Sequence, residues 1–305
     1  ALPIQEERDV PYRSKVPGVM HACGHDGHTA QLLGLAKALN AMKEDLHGSV
    51  VFIHQHAEEV PPGGAIAMIE DGCLDGVDVI FGTHLWATDP YGSVTTKRGP
   101  LMAAADRFDI EIKGQGGHGA TPHKTVDSIV VASQLVMNLQ QIVSRRVNPQ
   151  DPAVVTVASF EAKNGFNIIA DRATLSGTVR TFNEDVRHFI EKEIEKITRG
   201  VCFSANATYE YSYSRGYPTL NNDEKMADYI MEVAKKVPEV NDVQIGGEDF
   251  AYYLQHVPGA FFFVGAADPD WDIVYPHHHP QFSIYEKAML LAAKVLGAAV
   301  LSYNN

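Results

Sequence analysis

The period of the apolar positions changes several times along the chain, and the changes divide it. Between Gly27 and Met42, residues Leu32, Leu33, Leu35, Ala36 and Leu39 recur at helical spacing, which predicts an amphipathic helix. Ser49–His54 is a short β-rich run that delivers Glu58 and Glu59 into a turn made of Pro61, Pro62, Gly63 and Gly64. Another helix is expected at Ala65–Asp71, and a buried strand at Val77–His84 that ends in a histidine. Strand and helix alternating in this way predict an α/β fold with a mostly parallel sheet and helices on both faces. Ligands then collect beyond the carboxyl ends of the strands.

After Gly99 and Pro100 the pattern changes. Asp106–Lys113 alternates as a half-exposed strand, followed by a helix at Val126–Arg145 and strands at Val154–Ala162 and Ala173–Thr181. A helix at Asp185–Thr198 and a strand at Phe203–Tyr213 complete a β-α-β-β-α-β order, the plan of a ferredoxin-like α+β module. Its length of about 110 residues suits a domain inserted into another. From Tyr217 the α/β character returns, with a helix at Asp223–Val237 and another opened by Gly246–Phe250. A strand at Ala260–Gly265 and a last helix at Ser283–Leu301 follow. The expected division is 1–102 and 215–305 for the two parts of a catalytic domain, with 103–214 as the insert.

Composition narrows the choice of partners. The chain has 305 residues, 45% of them hydrophobic, enough for one large core or two smaller ones, and two is the expectation. A net charge of −13, from 38 acidic against 25 basic residues, opposes binding to nucleic acid. No apolar run approaches the ~18 residues needed to span a bilayer, so a soluble protein without a membrane partner is expected. Cys23, Cys73 and Cys202 cannot all pair, and a chain of this size needs no disulfide staples, which points to a cytoplasmic location.

Four stretches carry candidate chemistry. In His21-Ala-Cys-Gly-His25-Asp26-Gly-His28, Cys23 and His25 are close enough in sequence to reach one ion, and thiolate with imidazole suits Zn²⁺ and its borderline neighbours. Asp26 could hold the second nitrogen of a ligand histidine or simply cap the helix. Glu58 and Glu59 in a turn can flank a metal, one as ligand and one facing water; a solvated acidic pair is the plainer alternative. His84, leaving a strand, is as readily a core histidine as a ligand. Among His277, His278 and His279, local spacing does not choose a ligand. A fifth stretch, Gly114-Gln-Gly-Gly-His118-Gly-Ala-Thr-Pro-His123, offers an exposed imidazole or a plain hairpin end. It lacks both the lysine of a nucleoside-triphosphate loop and the framing of a dinucleotide fingerprint.

Together these stretches resemble the amidohydrolase branch of the M20 metallopeptidase family, which includes N-acyl-amino-acid, hippurate and auxin-conjugate amidohydrolases. The matching segments, in family order, begin with Met20-His-Ala-Cys-Gly-His-Asp-Gly-His28, His56-Ala-Glu-Glu59 and Gly82-Thr-His84. Gly114 to His123, Asn167 with Gly177-Thr-Val-Arg180, Gly246-Gly-Glu-Asp-Phe250 and His278-His-Pro-Gln-Phe282 continue it. The resemblance implies a zinc-peptidase-like fold with an inserted lid and dimerisation domain. It implies one or two divalent ions (Zn, Mn, Co or Ni) held by Cys23, His25, Glu59, His84 and His278, with Cys23 bridging. Glu58 would be the general base, and His118, Asn167 and Arg180 would bind substrate, His118 from across a homodimer interface. The reaction implied is hydrolysis of the amide bond of an N-acyl amino acid. A dipeptidase or aminopeptidase of the same chemistry would need an acid near the substrate ammonium, and the sequence does not choose Glu161 or Asp249 for that task. A non-catalytic metal-binding or interaction protein would be expected to have lost Glu58, which is present.

Two departures from the family pattern stand out. Ala170 replaces a usual proline in Asn167-Ile-Ile-Ala-Asp171. Ala1-Leu-Pro-Ile-Gln-Glu6 resembles the tail of a motif whose preceding Asp-x-Asp is not in the sequence. By that comparison roughly eighty residues of a typical member are lacking, a large share of a domain. The expectation is a chain that binds metal and dimerises but hydrolyses slowly or not at all.

Overall fold

A computed structural model describes residues 1–60, 63–240, 242–244 and 250–303. In chain order it contains α1 (His25–Ala41), α2 (Ala65–Glu70), β1 (Ile80–Pro90), β2 (Ser93–Thr95) and β3 (Gly99–Met102). Then come β4 (Ala104–Lys113), β5 (Gly117–His118), α3 (Ser128–Gln141), β6 (Ala153–Glu161), β7 (Ile168–Ile169), β8 (Arg172–Thr181), α4 (Glu184–Ser204) and β9 (Thr208–Arg215). Last are β10 (Leu220–Asn222), α5 (Glu224–Ala234), β11 (Asp242–Gln244), β12 (Gly259–Ala267) and α6 (Lys287–Tyr303). The chain divides into two compact units, residues 1–101 with 220–305, and residues 102–219.

The first unit is organised around β12, whose nine residues Gly-Ala-Phe-Phe-Phe-Val-Gly-Ala-Ala are all buried. Such a continuous apolar strand needs cover on both faces. Leu35 and Leu39 of α1, Ile230 and Val233 of α5, and Leu291 and Val295 of α6 share one core cluster with Phe262 and Val264. The sheet order is β1-β12-β2-β11.

The sheet is mixed, and this corrects the expected mostly parallel arrangement. β1 runs parallel to β12 and β11 parallel to β2, but β2 is antiparallel to β12. The reversal follows from the turn after β1, where Gly92 sits at φ 96° and returns the chain at once into β2. A chain that turns back this tightly reverses its direction, so β2 runs against β1 and therefore against β12, which is parallel to β1. The described sheet pairings in residues 102–219 are antiparallel throughout, so antiparallel pairing predominates in the molecule.

Two further expectations are corrected in this unit. Ser49–His54 forms no strand among the described residues, although Val50 and Phe52 pack on the main core and Ile53 on a second cluster with Ile80 and Tyr253. His84 is not the end of its strand: β1 continues to Pro90, and His84 stands opposite Phe263 in the middle of it. A cavity of about 610 Å³ separates the open side of β1 from the 49–54 segment.

The second unit has the order β4-α3-β6-β8-α4-β9, with sheet order β6-β8-β4-β9. Phe108, Ile110 and Ile112 of β4 alternate inward against Leu135 and Leu139 of α3 and Ile190 and Ile194 of α4. Asp127 caps α3 and Asn183 caps α4, each accepting from two backbone N–H groups. The expected strand from Phe203 begins later. α4 continues to Ser204 because Val201 and Cys202 still bury, and the chain turns at Asn206, φ 57°, before β9.

Candidate metal centre

The donor groups converge in the first unit from four separate stretches. Gly24, at φ 84°, makes the left-handed turn that starts α1, with the buried Cys23 on one side and His25, the first helical residue, on the other. His84 comes from the middle of β1. Glu58 and Glu59 lie in the turn that follows Ala57, a residue at φ 55°. His278 is also left-handed, at φ 63°, and its backbone N–H donates to the Ala22 carbonyl at 2.8 Å. Non-glycine residues in this region store strain, and two of the three described here flank the same site.

Three overlapping sets place their ligand atoms within 4.8 Å of one another: Cys23, His25 and His84; Cys23, Glu59 and His278; and His25, Glu58 and Glu59. Cys23 Sγ is 3.4 Å from His84 Nε2, and His278 Nε2 is 3.1 Å from Glu59 Oε1. His25 Nε2 is 3.3 Å from Glu58 Oε2 and 3.9 Å from Glu59 Oε1. Donors of one tetrahedral ion stand about 3.4 to 3.8 Å apart for ordinary Zn–N and Zn–S bonds, so these spacings suit one. Thiolate, imidazole and carboxylate together favour Zn²⁺ and its borderline neighbours over Mg²⁺ or Ca²⁺.

The three consecutive histidines, which spacing left undecided, part company here. His278 faces Glu59, His277 Nε2 lies 3.1 Å from the Leu85 carbonyl, and His279 stacks on Tyr275 with ring centroids 4.6 Å apart. His84 Nδ1 is 2.7 Å from the same Leu85 carbonyl. A carbonyl only accepts, so both facing nitrogens carry hydrogen, and the Nε2 lone pair of His84 is left toward Cys23. His28 Nε2 accepts from the Leu85 N–H at 3.0 Å. His28 and His277 thus have a structural partner that the sequence did not reveal; a histidine three residues from a candidate ligand, or next to one, was the only signal.

Burial keeps these rings neutral. It drives His28 down to about 3, with His25 and His277 adding repulsion. It also holds His84 well below the usual histidine value, reinforced by His28 and His277. His25 is lowered by burial despite the opposing pull of Glu59, and His277 is lowered by burial despite its bond to Leu85. Neutral imidazoles keep the lone pairs that a metal needs. Asp26 is exposed, and its Oδ1 accepts from the Gly27 N–H at 2.9 Å at the start of α1.

The remaining candidates lie in the second unit. β5 pairs with β7, setting His118 opposite Ile168, and the Gly119 N–H donates to the Asn167 carbonyl at 2.7 Å. A Cβ at Gly119 would lie 2.9 Å from that carbonyl oxygen, so the glycine permits the approach. His118 and Asn167 are thereby neighbours, with His118 Nδ1 accepting from the Ala120 N–H at 3.1 Å. Arg180 is exposed on β8, where its guanidinium donates to Thr178 Oγ1 and to the Val179 carbonyl. Glu161 ends β6 and is exposed. Asp249 and the Gly246–Glu248 part of its motif lie outside the described residues.

Residues 1–302 match the model of peptidase family M20/M25/M40. The chain belongs to this family. A Bacillus subtilis protein named YhaA is 57% identical over all of this chain and 78% of its own length. An N-acyl-L-amino acid amidohydrolase of Geobacillus stearothermophilus is 49% identical over 73% of this chain and 61% of its own length. Other family members similar to this chain carry the names deacetylase and carboxypeptidase. Among solved structures, a dinuclear metal-binding family member from Bacillus subtilis superposes with a TM-score of 0.82 at 35% identity, covering 98% of this chain and 78% of that one. Family membership and the three donor sets support metal-dependent hydrolase chemistry of the amidohydrolase or peptidase kind. None of the helices among the described residues is long and apolar enough to cross a membrane.

Proposed function

We propose that this chain hydrolyses the amide bond of N-acyl amino acids, releasing a carboxylate and a free amino acid. The observation that carries the reading is the sharing of Cys23 between two donor sets, with His25 and His84 in one and Glu59 and His278 in the other. In this reading those five residues would hold one or two divalent ions, Cys23 being common to both sets. When bound, a divalent ion supplies electrophilic polarisation of the amide carbonyl and acidifies water at the site.

Glu58 is the proton acceptor. Glu59 belongs to both acidic donor sets and touches His278, whereas Glu58 shares a set with His25 and Glu59 alone, without Cys23. That division favours Glu59 as ligand and leaves Glu58 to take the proton of the attacking water and return it to the leaving amine. In residues 102–219, Arg180 receives the substrate carboxylate through its planar fork, His118 helps bind the substrate carbonyl, and Asn167 makes a polar contact to the substrate. His118 acts from the second chain of a homodimer formed through this unit. The similarity to an N-acyl-L-amino acid amidohydrolase and to an N-acetyl-L-cysteine deacetylase of Bacillus subtilis supports the substrate class.

The test is a panel of N-acetyl, N-benzoyl and indoleacetyl amino acids beside unblocked dipeptides, with free amine measured before and after chelation and metal return. Chelator-sensitive release from the acyl compounds is expected. Release from dipeptides alone would sink the N-acyl reading, and release insensitive to chelation would sink the metal reading.

A further inference from the structure

The two peptide groups that flank Leu85, next to a candidate metal ligand, are gripped by three histidines. The Leu85 carbonyl lies 2.7 Å from His84 Nδ1 and 3.1 Å from His277 Nε2, and the Leu85 N–H donates to His28 Nε2 at 3.0 Å. All three backbone sites are therefore used, since a carbonyl oxygen has two lone pairs and an amide one hydrogen. The rings also touch each other: His84 and His28 are edge to face with centroids 4.3 Å apart, and His84 and His277 likewise at 5.1 Å. Trp86 closes the group against His277 at 4.5 Å. Neither His28 nor His277 belongs to any of the three donor sets.

We infer that His28 and His277 are positioning residues for His84. His28 holds the His84–Leu85 peptide by its N–H and His277 holds the Leu85–Trp86 peptide by its carbonyl, so that this carbonyl fixes the Nδ1–H tautomer and the ring direction of His84. Leu85 is fully buried and sits on β1, which pairs on one side with β12 among the described residues. On a strand, alternate residues turn their backbone groups to opposite sides. The Ile80 N–H donates to Pro258, toward β12, so Phe81, Thr83 and Leu85 turn theirs away from it. At Leu85 the place of a neighbouring strand is taken by imidazoles: His28 answers the N–H, and His277 answers the carbonyl beside His84. Without them the two peptide groups flanking Leu85 could rotate, and the His84 Nε2 lone pair would lose its aim at Cys23 Sγ, 3.4 Å away.

This inference rests on the proposed metal reading for its purpose, but its structural core is testable without metal. In the metal-free chain with ¹⁵N-labelled histidine, the ring nitrogens of His84 should report one tautomer, hydrogen on Nδ1. His28→Leu and His277→Phe should let the two tautomers average. His28→Gln and His277→Gln should restore the single form, because the glutamine amide can accept in the first place and donate in the second. Zinc affinity measured by competition should fall about 10- to 100-fold in the apolar variants and stay within about three-fold in the glutamine ones. An Nδ1-unprotonated His84 in the unaltered chain would overturn the inference, even if the apolar variants failed to fold. So would folded apolar variants with an unchanged tautomer. A chain that binds no zinc but shows the expected tautomer pattern would remove the metal reading and leave the positioning role standing.

Discussion

His278 donates its backbone N–H to the carbonyl of Ala22 at 2.8 Å, so the left-handed residue at one end of the site is tied to the residue that precedes Cys23. This bond offsets part of the strain of a non-glycine residue at φ 63°. Glycine would relieve the strain, worth ~1 to 3 kcal/mol, and add a backbone entropy cost of ~0.5 to 1 kcal/mol. His278→Gly should therefore melt at or slightly above the temperature of the unaltered metal-free chain while binding less zinc. A marked loss of thermal stability without metal would mean that the imidazole, not the backbone bond, holds this turn.

Glu58 and Glu59 are adjacent, yet their proposed tasks separate under substitution. Glu58→Gln should keep metal content near normal and lower kcat by at least ~10², since it removes a proton acceptor and keeps the shape. Metal analysis beside single-turnover rates decides the matter. Loss of metal together with rate would reverse the roles of the two glutamates.

Arg180 is proposed to meet a charged carboxylate. Arg180→Ala should raise KM for N-acyl amino acids by about 10- to 100-fold and leave their carboxamides nearly unaffected, because a charge-assisted hydrogen bond is lost only with the acid. Equal damage to both substrates would place carboxylate recognition elsewhere.

His118 is proposed to serve the partner's site. Inactive His118→Ala chains mixed with inactive Glu58→Gln chains should regain part of the activity, through dimers in which one site has both groups. Verified heterodimers without recovery would assign His118 to its own chain's site, or to none.

The second unit should respond to acid through one buried pair. Asp106 Oδ1 and Oδ2 accept from Arg187 at 2.6 and 2.9 Å, and Tyr213 and the Gly216 N–H also donate to this carboxylate. Burial pushes the Asp106 carboxyl up, but the bonds from Arg187 and Tyr213 outweigh it and bring the group below the ordinary carboxylate value. A lowered native pKa gives stability that is present above the unfolded carboxylate value, near pH 4, and is lost as pH falls through the native one. Asp106→Asn should remove that acid-side loss and cost ~3 to 5 kcal/mol at neutral pH, because the buried Arg187 loses its charge partner. Denaturant unfolding at pH 7 and at pH 3 measures both effects.

Much of the site could be read before any fold was known. Cys23, His25, Glu58 and Glu59 announce themselves because a thiol, imidazoles and adjacent acids crowd into short polar stretches where no core demands them. His84 was even between ligand and core residue, since a buried strand supplies either. His277, His278 and His279 were equal by spacing, because three consecutive side chains differ only in where the backbone aims them.

What the sequence by itself determined is local: the element order of residues 102–219, the helix at His25–Ala41 and the chemistry of the donor stretches all follow from spacing along a few turns of chain. The tertiary structure alone decided the relations between distant segments. The order of the sheet depended on where β2 found its partner, and that partner, β12, lies about 170 residues further on, beyond the reach of any periodicity. The same holds for the choice of His278. Its backbone is bound to Ala22 and its ring meets Glu59, while its neighbour His277 is held by Leu85, and none of these contacts is encoded within the run of histidines itself. Hydrophobic and polar pattern specifies which face of an element is buried; which other element buries it is settled only when the chain packs.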